Sequence, residues 1–371
     1  MVKKIIRKAG LGGTAVKLAK PFIKSGSSLP SLEEARAHLM ALSPDPANSC
    51  LWSKPAASHG QFTLDILIPA YNVENYIARC IDSALSQKTE HSFRLIIVDD
   101  GSKDNTAVIL DGYADNPRVI IKHQENQGLA GARNTAIALS DAEYIMFLDS
   151  DDILPPGSVD ALIRCALENN AHITEGAFAQ CDLDGNILKQ EKHKSGLLEP
   201  QKELYGFACM KVFKAEIFSK LRFSFGYLYE DSIMSQIVYP LAKKNSWSAY
   251  GIEQNVYCYS VNPKGITSSS RAKPKSIDSL WITLQLYKDR QALGLENDSA
   301  YYNYILSMLV LSYRRAEAQS EQTKKAMFVL WKDFIDKEFS GFDTENKKYS
   351  ILQQAVREEN YPLYKAACML I

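Results

Sequence analysis

Three aspartates stand together at the end of an apolar run. Asp149, Asp151 and Asp152 follow YIMFL (144–148), five uncharged residues whose aromatic and β-branched types predict a buried strand. Carboxylates crowded at one site raise one another's pKa unless a cation or hydrogen-bond donors keep them ionised. Either this loop is open to water, or a positive group binds there. The second alternative predicts oxygen ligands for a hard cation, Mg²⁺ or Mn²⁺, which usually takes one or two carboxylates together with substrate phosphates.

The chain around this loop alternates between strand and helix patterns. Strand patterns cover 64–70, 93–100, 118–123 and 143–149, and helix patterns lie between them. This alternation predicts βαβ units with a mostly parallel sheet, in which ligands bind beyond the carboxyl ends of the strands. The polar groups that these strand ends bring to one crevice are Tyr71, Asn72, Asp99, Asp100, Ser102, Asp149, Ser150 and Asp151.

Composition indicates an ordinary globular protein. The 371 residues are 46% hydrophobic and 23% charged, which is enough to bury a full core, and the length suggests two or three domains. Lysine plus arginine equals aspartate plus glutamate at 43 each, so no net field favours nucleic-acid binding.

Cysteine usage and hydropathy predict a cytoplasmic protein. The seven cysteines are scattered singly without a CxxC pair, which favours reduced thiols over a disulfide or zinc framework, and the six histidines form no HExxH-like cluster. No uncharged run reaches the roughly 18 residues that cross a bilayer, and there is no apolar stretch of a secretory signal. We therefore expect the catalytic part to stay in the cytoplasm.

The pattern along the chain predicts four regions. Residues 1–26 carry seven cations and no acid, interleaved with apolar residues, and 27–61 form a Ser-, Pro- and Ala-rich linker around one short helical stretch. Residues 62–270 form the alternating catalytic block, and 271–371 are helical. The basic segment is either a disordered tail or a surface that docks on the anionic inner face of the plasma membrane.

Five motifs in order give this chain a resemblance to family 2 glycosyltransferases. They are ILIPAYN, IIVDDGSKDNT, NQGLAGARNTAI, YIMFLDSDD and YEDSIMS, and the resemblance covers roughly 62–270. It implies an α/β fold of the GT-A type, Rossmann-like with a mostly parallel central sheet and here a helical C-terminal region. It also implies an inverting enzyme that uses nucleotide-diphosphate sugars.

The resemblance implies roles for individual residues. Tyr71 would stack on uracil, Asp100 would accept a hydrogen bond from the base, and Arg133 would approach the nucleotide. Asp149 and Asp151 match the DxD pair, with Asp151 the closer metal ligand and Asp149 facing the ribose or the metal. The full set implied for the nucleotide sugar is Pro69, Tyr71, Asn72, Asp100, Arg133 and Asp149.

Asp231, in YED, matches the catalytic base of the family. A base must be ionised to accept the proton of the attacking hydroxyl, and the helix that Asp231 opens favours the charged form through its dipole. Pro240 is expected to end or kink that helix.

Each motif also has a plainer interpretation. ED at a helix start is usually favourable end-charge chemistry, and VDDGS suits a turn with a helix cap. Arg133 could pair with a surface acid, and Tyr71 could be an ordinary strand-end aromatic.

The resemblance implies an enzyme that moves a sugar from a UDP-sugar to a hydroxyl of a glycan or lipid-linked acceptor, and the resemblance alone implies a setting in cell-surface polysaccharide synthesis. The alternatives are a nucleotidyltransferase, or a nucleotide-sugar-binding scaffold without turnover.

Overall fold

The structure, a computed structural model, describes residues 28–54, 60–183, 185–262, 265, 270 and 272–371. The chain divides into two units. The unit that carries the predicted site comprises Asn48–Pro263 and Gln285–Leu295, and the other comprises Met1–Ala47, Lys264–Leu284 and Glu296–Ile371. The basic segment 1–26 lies outside the described residues, and the boundaries of the four predicted regions stay a prediction.

A nine-stranded sheet forms the centre of the first unit. Its strands are β1 (Leu64–Ala70), β2 (Phe93–Asp99), β3 (Val119–His123), β4 (Tyr144–Phe147), β5 (Ile173–Cys181), β6 (Ile187–Glu191), β7 (Gly196–Leu198), β8 (Lys211–Lys214) and β9 (Ala249–Ser260). Their order is β3-β2-β1-β4-β8-β5-β9-β7, and β6 pairs with β5.

The half of the sheet that carries the predicted crevice is parallel. Neighbours among β3, β2, β1 and β4 all run in the same direction, so their carboxyl ends share one edge. All seven residues of β1 are buried, as expected for a strand covered on both faces, and this explains its unbroken apolar run. In the other half, β8 runs antiparallel to both β4 and β5, and β9 is parallel to β5.

The helices among the described residues are α1 (Leu32–Leu42), α2 (Ile77–Leu85), α3 (Thr106–Asp111), α4 (Gly128–Leu139), α5 (Ser158–Glu168), α6 (Pro200–Glu203), α7 (Tyr239–Lys244), α8 (Asp278–Ala292), α9 (Ser299–Arg315), α10 (Glu321–Glu338), α11 (Ser350–Arg357) and α12 (Tyr361–Leu370). The predicted α/β fold with a mostly parallel central sheet and a helical C-terminal region is confirmed.

The helix that follows Asp231 does not end at Pro240, so of the two expected alternatives, an end or a kink, the structure excludes the end. A π-helical turn (Met234–Val238) leads directly into α7, which contains Pro240 near its start. Proline has no N–H for the carbonyl four residues earlier, which is that of Gln236. Arg290 supplies the missing donor, with its Nη1 2.7 Å from that oxygen. The helix therefore continues without a buried carbonyl left unsatisfied.

The expectation of reduced cysteines is wrong for one pair. Cys181 on β5 and Cys258 on β9 form a disulfide with their Cα atoms 5.9 Å apart. The two residues are separated by 77 positions, and only the parallel pairing of β5 with β9 brings them together, so the sequence spacing contained no signal. The disulfide also removes the support that cysteine usage gave to a cytoplasmic location. Cys50, Cys80, Cys165, Cys209 and Cys368 are free thiols.

The second unit is helical where it is described. Helix α1 begins with a capping box, in which Ser31 N donates to Glu34 Oε2 (2.8 Å) and Glu34 N donates to Ser31 Oγ (3.2 Å). Helix α10 buries an apolar stripe made of Met327, Leu330, Phe334 and Ile335. In the described part of the chain, no helix combines the length and the apolar character needed to span a membrane.

Candidate active site

The loops after β1 and β2 are joined at the predicted edge. Asn72 N donates to Ser102 Oγ (3.0 Å), and Lys103 N donates to Asn72 Oδ1 (2.7 Å). Asn72 adopts a φ of 53°, a left-handed conformation that asparagine tolerates better than most residues. The neighbouring Tyr71 is 46% exposed, so its ring is available for stacking. Its role toward uracil stays a prediction.

Pro69 is buried within β1 rather than exposed in the crevice. It lies opposite Val98 of β2, beyond the point where β4 stops pairing with β1 at Leu67 and Phe147. A proline is tolerated there because β4 requires no N–H from it. Any contribution of Pro69 to donor binding would come from shaping the strand end.

Asp100 holds the start of α4. Its Oδ1 accepts from Gln124 Nε2 (2.7 Å) and from Gln127 N (2.8 Å), and its Oδ2 accepts from Gly128 N (2.8 Å). The positive end of a helix dipole favours an anion at this position. Three donors engage a carboxylate that has about four acceptor positions, so a hydrogen bond to a nucleotide base would use the remaining capacity on Oδ2. That bond stays a prediction.

Arg133 on α4 binds both a carboxylate of the DxD pair and the candidate base. Its side chain is 1% exposed, and its Nη2 donates to Asp149 Oδ1 (2.7 Å). Its Nη1 donates to Glu230 Oε1 (2.8 Å) and to Asp231 Oδ1 (3.0 Å). One guanidinium therefore holds a DxD carboxylate and the candidate base a few ångströms apart. The predicted approach of Arg133 to the nucleotide is untested.

Phe223 covers the guanidinium of Arg133, with its ring centroid 5.2 Å away. Burial and neighbouring charges then set the protonation of the YED pair. Burial raises the pKa of Glu230 to about 7 although Arg133 opposes the shift, and it also raises the pKa of Asp231, again against Arg133 and with the charge of Asp149 adding to the rise. The backbone amide of Ala208 also acts to lower the pKa of Asp231, whose side chain keeps 29% exposure. It can therefore both be ionised and meet a substrate hydroxyl.

Asp152 is a structural member of the aspartate cluster. Its Oδ2 accepts from Tyr257 O–H (2.7 Å) and its Oδ1 from Ser260 N (2.7 Å), both on β9, and the residue is 1% exposed. Tyr257 O–H also lies 3.1 Å from Asp149 N. Asp152 thus anchors the loop to β9, which leaves Asp149 and Asp151 for a ligand.

Asp149 and Asp151 fit a cation held jointly with a substrate. Burial raises the pKa of Asp151, and the negative charge of nearby Asp149 raises it further, so a cation would relieve their repulsion. Asp149 Oδ2 already accepts from Cys209 Sγ (3.2 Å), and Asp151 Oδ2 accepts from Asn262 Nδ2 (3.1 Å). Among the described residues, no group of three or more His, Cys, Asp or Glu side chains could hold a metal alone. A Mg²⁺ or Mn²⁺ held here would need phosphate oxygens to complete its coordination.

Sequence reasoning missed the groups that position these carboxylates. Cys209 and Ala208 reach the site from a segment about 60 residues after Asp149, and no motif marked them. Arg79 was also missed. Its Nη2 donates a hydrogen bond of 3.1 Å to the backbone carbonyl of Asp151 and so holds the aspartate loop. The only signal for Arg133 as a link between carboxylates was its place in the NQGLAGARNTAI motif.

Comparison with protein families places this site within a known group. A family model described as "Glycosyl transferase family 2" matches residues 65–230. Glycosyltransferase GlyG of Streptococcus pneumoniae serotype 4 is 30% identical over 216 residues, which cover 53% of this chain and 70% of GlyG. The Escherichia coli enzyme WfgD, named as a UDP-Glc:α-D-GlcNAc-diphosphoundecaprenol β-1,3-glucosyltransferase, is 26% identical over 71% of this chain and 99% of its own length.

Other relatives are much longer than this chain. It spans 30% of one curated glycosyltransferase and 10 to 21% of three polysaccharide synthases. Among solved structures, residues 1–349 of Staphylococcus aureus TarS in complex with UDP-GlcNAc match with a TM-score of 0.62 and 16% identity, covering 82% of this chain and 90% of that one. At this identity the match shows a shared fold.

Proposed function

This chain belongs to glycosyltransferase family 2 and has the GT-A fold, and from that premise we propose a specific reaction for it. It moves a sugar from a UDP-sugar to a hydroxyl of a glycan or lipid-linked acceptor, inverts the anomeric carbon, and depends on Mg²⁺ or Mn²⁺. The setting is the synthesis of a bacterial cell-surface polysaccharide.

The observation that carries the proposal is the shared guanidinium of Arg133. It fixes Asp149, at the proposed diphosphate side, and Asp231, at the proposed acceptor side, on one rigid group. An inverting transfer needs charge stabilisation at the leaving group and a base on the opposite face of the sugar, both held at short range. In this arrangement Asp149 serves the leaving group through the cation, and Asp231 serves as the base.

Asp231 acts as the base in this proposal. Its carboxylate accepts the proton of the acceptor hydroxyl as that oxygen attacks the anomeric carbon, and Arg133 holds it in place. Asp149 and Asp151 would hold the cation, which as a Lewis acid stabilises the charge that develops on the departing diphosphate. Tyr71 and Asn72 line the strand end where the uridine would bind.

The donor and acceptor classes draw support from the relatives. TarS is described in complex with UDP-GlcNAc, and WfgD is named for a UDP-glucose donor and a diphosphoundecaprenol-linked acceptor. A lipid-linked acceptor would bring the enzyme to the inner face of the plasma membrane. The seven cations of residues 1–26, which lie outside the described residues, would suit an anionic surface there.

The reaction is tested with the full chain, Mn²⁺ and a panel of UDP-sugars and acceptors. The panel contains methyl glycosides of hexoses and N-acetylhexosamines and a polyprenyl-diphosphate sugar, and UDP release is measured. We expect acceptor-stimulated UDP release and, by NMR, a product anomer opposite to that of the donor. A product with the donor's configuration would contradict inversion, and no release with any pair would contradict the reaction.

The metal assignment is tested with Asp151→Ala. We expect this variant to bind UDP more weakly than the wild type in calorimetry with Mn²⁺, and equally in the presence of EDTA, because only the cation links the carboxylate to the diphosphate. Asp111→Ala, which removes a mostly exposed carboxylate, is the control. Unchanged affinity of the Asp151 variant with Mn²⁺ would remove this residue from the metal site.

A further inference from the structure

Residues 205–210, which we call the β4-end segment, carry an exposed phenylalanine beside the base. Phe207 is 48% exposed, whereas Ala208, Cys209 and Met210 are buried. Single exposed apolar residues are common on protein surfaces, so exposure by itself indicates nothing. Any role of Phe207 therefore depends on its position in the site.

The β4-end segment contacts both catalytic carboxylates. The backbone amide of Ala208 lies near enough to Asp231 to lower the pKa of its carboxyl, and Cys209 Sγ contacts Asp149 Oδ2 at 3.2 Å. Cys209 also forms an isolated bridge with Phe147, the last residue of β4. Phe207 directly precedes Ala208, and consecutive Cα atoms are about 3.8 Å apart. Its exposed side chain therefore extends from a backbone that contacts Asp149 and approaches Asp231.

The backbone of this segment is fixed by a buried ion pair. Lys211 and Glu175 are both 0% exposed and paired, and Lys211 Nζ donates to Phe207 O at 2.7 Å and approaches Cys209 O at 3.4 Å. Glu175 accepts from Tyr205 N, with 3.1 Å to each carboxylate oxygen. His193 Nε2 lies 2.5 Å from Glu175 Oε1 and completes the cluster.

Burial of such a pair is costly and is weak support for stability. Desolvation of each ion costs several kcal/mol, and well-packed apolar residues often serve a core as well or better. Here the hydrogen-bonding capacity of the pair is directed at the backbone of one short segment, at Tyr205, Phe207 and Cys209. The cluster therefore specifies the conformation that presents Phe207 and Ala208.

We propose that the ring of Phe207 binds the acceptor, as the apolar surface on which a sugar ring of the acceptor stacks while its hydroxyl meets Asp231. This inference rests on the proposed function. The acceptor hydroxyl must reach hydrogen-bond distance of Asp231, so the sugar that carries it lies beside the segment from which Phe207 extends. A pyranose presents an apolar C–H face as well as hydroxyls, and an aromatic ring offers a large, rigid apolar contact for that face. Lys211 is a positioning residue that acts through the segment.

The test compares steady-state kinetics of the wild type and Phe207→Ala with Mn²⁺, the best UDP-sugar, and the best methyl glycoside acceptor of the panel. We expect the acceptor KM to rise about tenfold, equal to about 1.4 kcal/mol of binding. The donor KM and the kcat at saturating acceptor stay near the wild-type values, because the base and the cation site are untouched. Phe207→Trp keeps an aromatic surface and should restore the acceptor KM.

Leu197→Ala is the matched control, because Leu197 is an exposed apolar residue on the edge strand β7, and it should change neither KM. An unchanged acceptor KM in Phe207→Ala, with an active wild type, would overturn this inference and leave the proposed function standing. A wild type that shows no acceptor-stimulated release would overturn the proposed function and this inference with it.

The role of Lys211 is tested by a double-mutant cycle. Lys211→Met should raise the acceptor KM in the wild-type background and add little in the Phe207→Ala background, because both changes remove the same contact. Full additivity of the two changes would show that Lys211 does not act through Phe207.

Discussion

At the scale of single residues, one arginine binds one of the three crowded aspartates together with both acids of the YED motif. Arg133 binds Asp149, Glu230 and Asp231 in a site where its side chain is 1% exposed. Carboxylates so close together would otherwise protonate, since burial and like charges both raise their pKa. The arginine favours their ionised forms, so the site carries negative charge that a cation and a substrate hydroxyl can use.

Removal of this arginine should cost more stability than removal of a surface arginine. We expect Arg133→Met to lower the free energy of unfolding by about 3–5 kcal/mol at pH 8, because buried carboxylates lose their cation. Arg164→Met is the control: Arg164 is 60% exposed and lies 3.8 Å from Asp160, and such pairs contribute about 0–1 kcal/mol.

Urea denaturation measures the free energy of unfolding of both variants, and its pH dependence tests whether the loss in Arg133→Met is electrostatic. The carboxylates need Arg133 only when they are ionised, so the loss should shrink as pH falls toward 5 and the raised pKa of Glu230, about 7, is passed. A loss that is equal at both pH values would contradict an electrostatic role for Arg133.

Asp231→Asn separates binding from transfer. Asparagine keeps the size of the side chain but cannot accept the proton, so we expect transfer to fall by about 10²- to 10⁴-fold while the affinity for UDP-sugar stays nearly unchanged. The rate comes from UDP release and the affinity from calorimetry, with Asp111→Asn as the control at a mostly exposed carboxylate. Full transfer by the variant would remove Asp231 from the base role.

At the scale of elements, the site is positioned by strand ends that side chains connect. His123 at the end of β3 bonds Asp99 at the end of β2, with Nδ1 2.8 Å from Oδ2. In the other half of the sheet, β9 holds the aspartate loop through Tyr257, Ser260 and a bridge from Cys258 to Ile153. The end of β9 is itself joined to β5 by the Cys181–Cys258 disulfide.

The disulfide should contribute measurably to stability. A crosslink between residues 77 positions apart restricts the unfolded chain, and such bonds are typically worth about 2–4 kcal/mol. We expect Cys181→Ala to lower the free energy of unfolding by this amount without reductant. Reductant should lower the wild type to the same level and leave the variant unchanged.

Cys165→Ala, which removes a free thiol of intermediate exposure, is the control for this experiment. A wild type whose unfolding curve is insensitive to reductant, and that matches Cys181→Ala throughout, would show that the crosslink does not form in solution.

At the scale of the whole molecule, a chain with no net charge carries a strongly basic first segment. Residues 1–26 contain seven cations and no acid, although lysine plus arginine and aspartate plus glutamate are 43 each overall. On an anionic bilayer each such cation contributes about 1 kcal/mol or less, and salt screens the attraction.

Cosedimentation with vesicles tests this proposal. The full chain should sediment with vesicles that contain phosphatidylglycerol, remain in solution with pure phosphatidylcholine, and detach as salt rises. A variant with the seven cations of residues 1–26 changed to glutamine should bind neither. Equal partitioning of both proteins on anionic vesicles would end the idea of docking through this segment.

Local sequence patterns were sufficient for the parallel half of the fold. Continuous apolar runs predicted β1, β2 and β4, and the helix pattern between the third and fourth strands predicted α4. Burial on both faces requires a continuous apolar run in a strand, and burial on one face requires an apolar stripe along a helix. These patterns are local because they involve residues adjacent in the chain. They also placed Tyr71, Asp100 and Asp149 at one edge, because parallel strands bring their carboxyl ends together.

Other features depend on contacts between residues far apart in the chain. The disulfide, the hydrogen bond from Arg290 to Gln236 O, and the contact of the β4-end segment with Asp149 all join positions that no local pattern relates. The sequence by itself determined the four parallel strands β1 to β4 and which carboxylates meet at their ends. Only the tertiary structure decided that Asp152 is an anchor and that Arg133 links Asp149 to Asp231, because such partners are chosen by packing across the sheet and not by spacing along the chain.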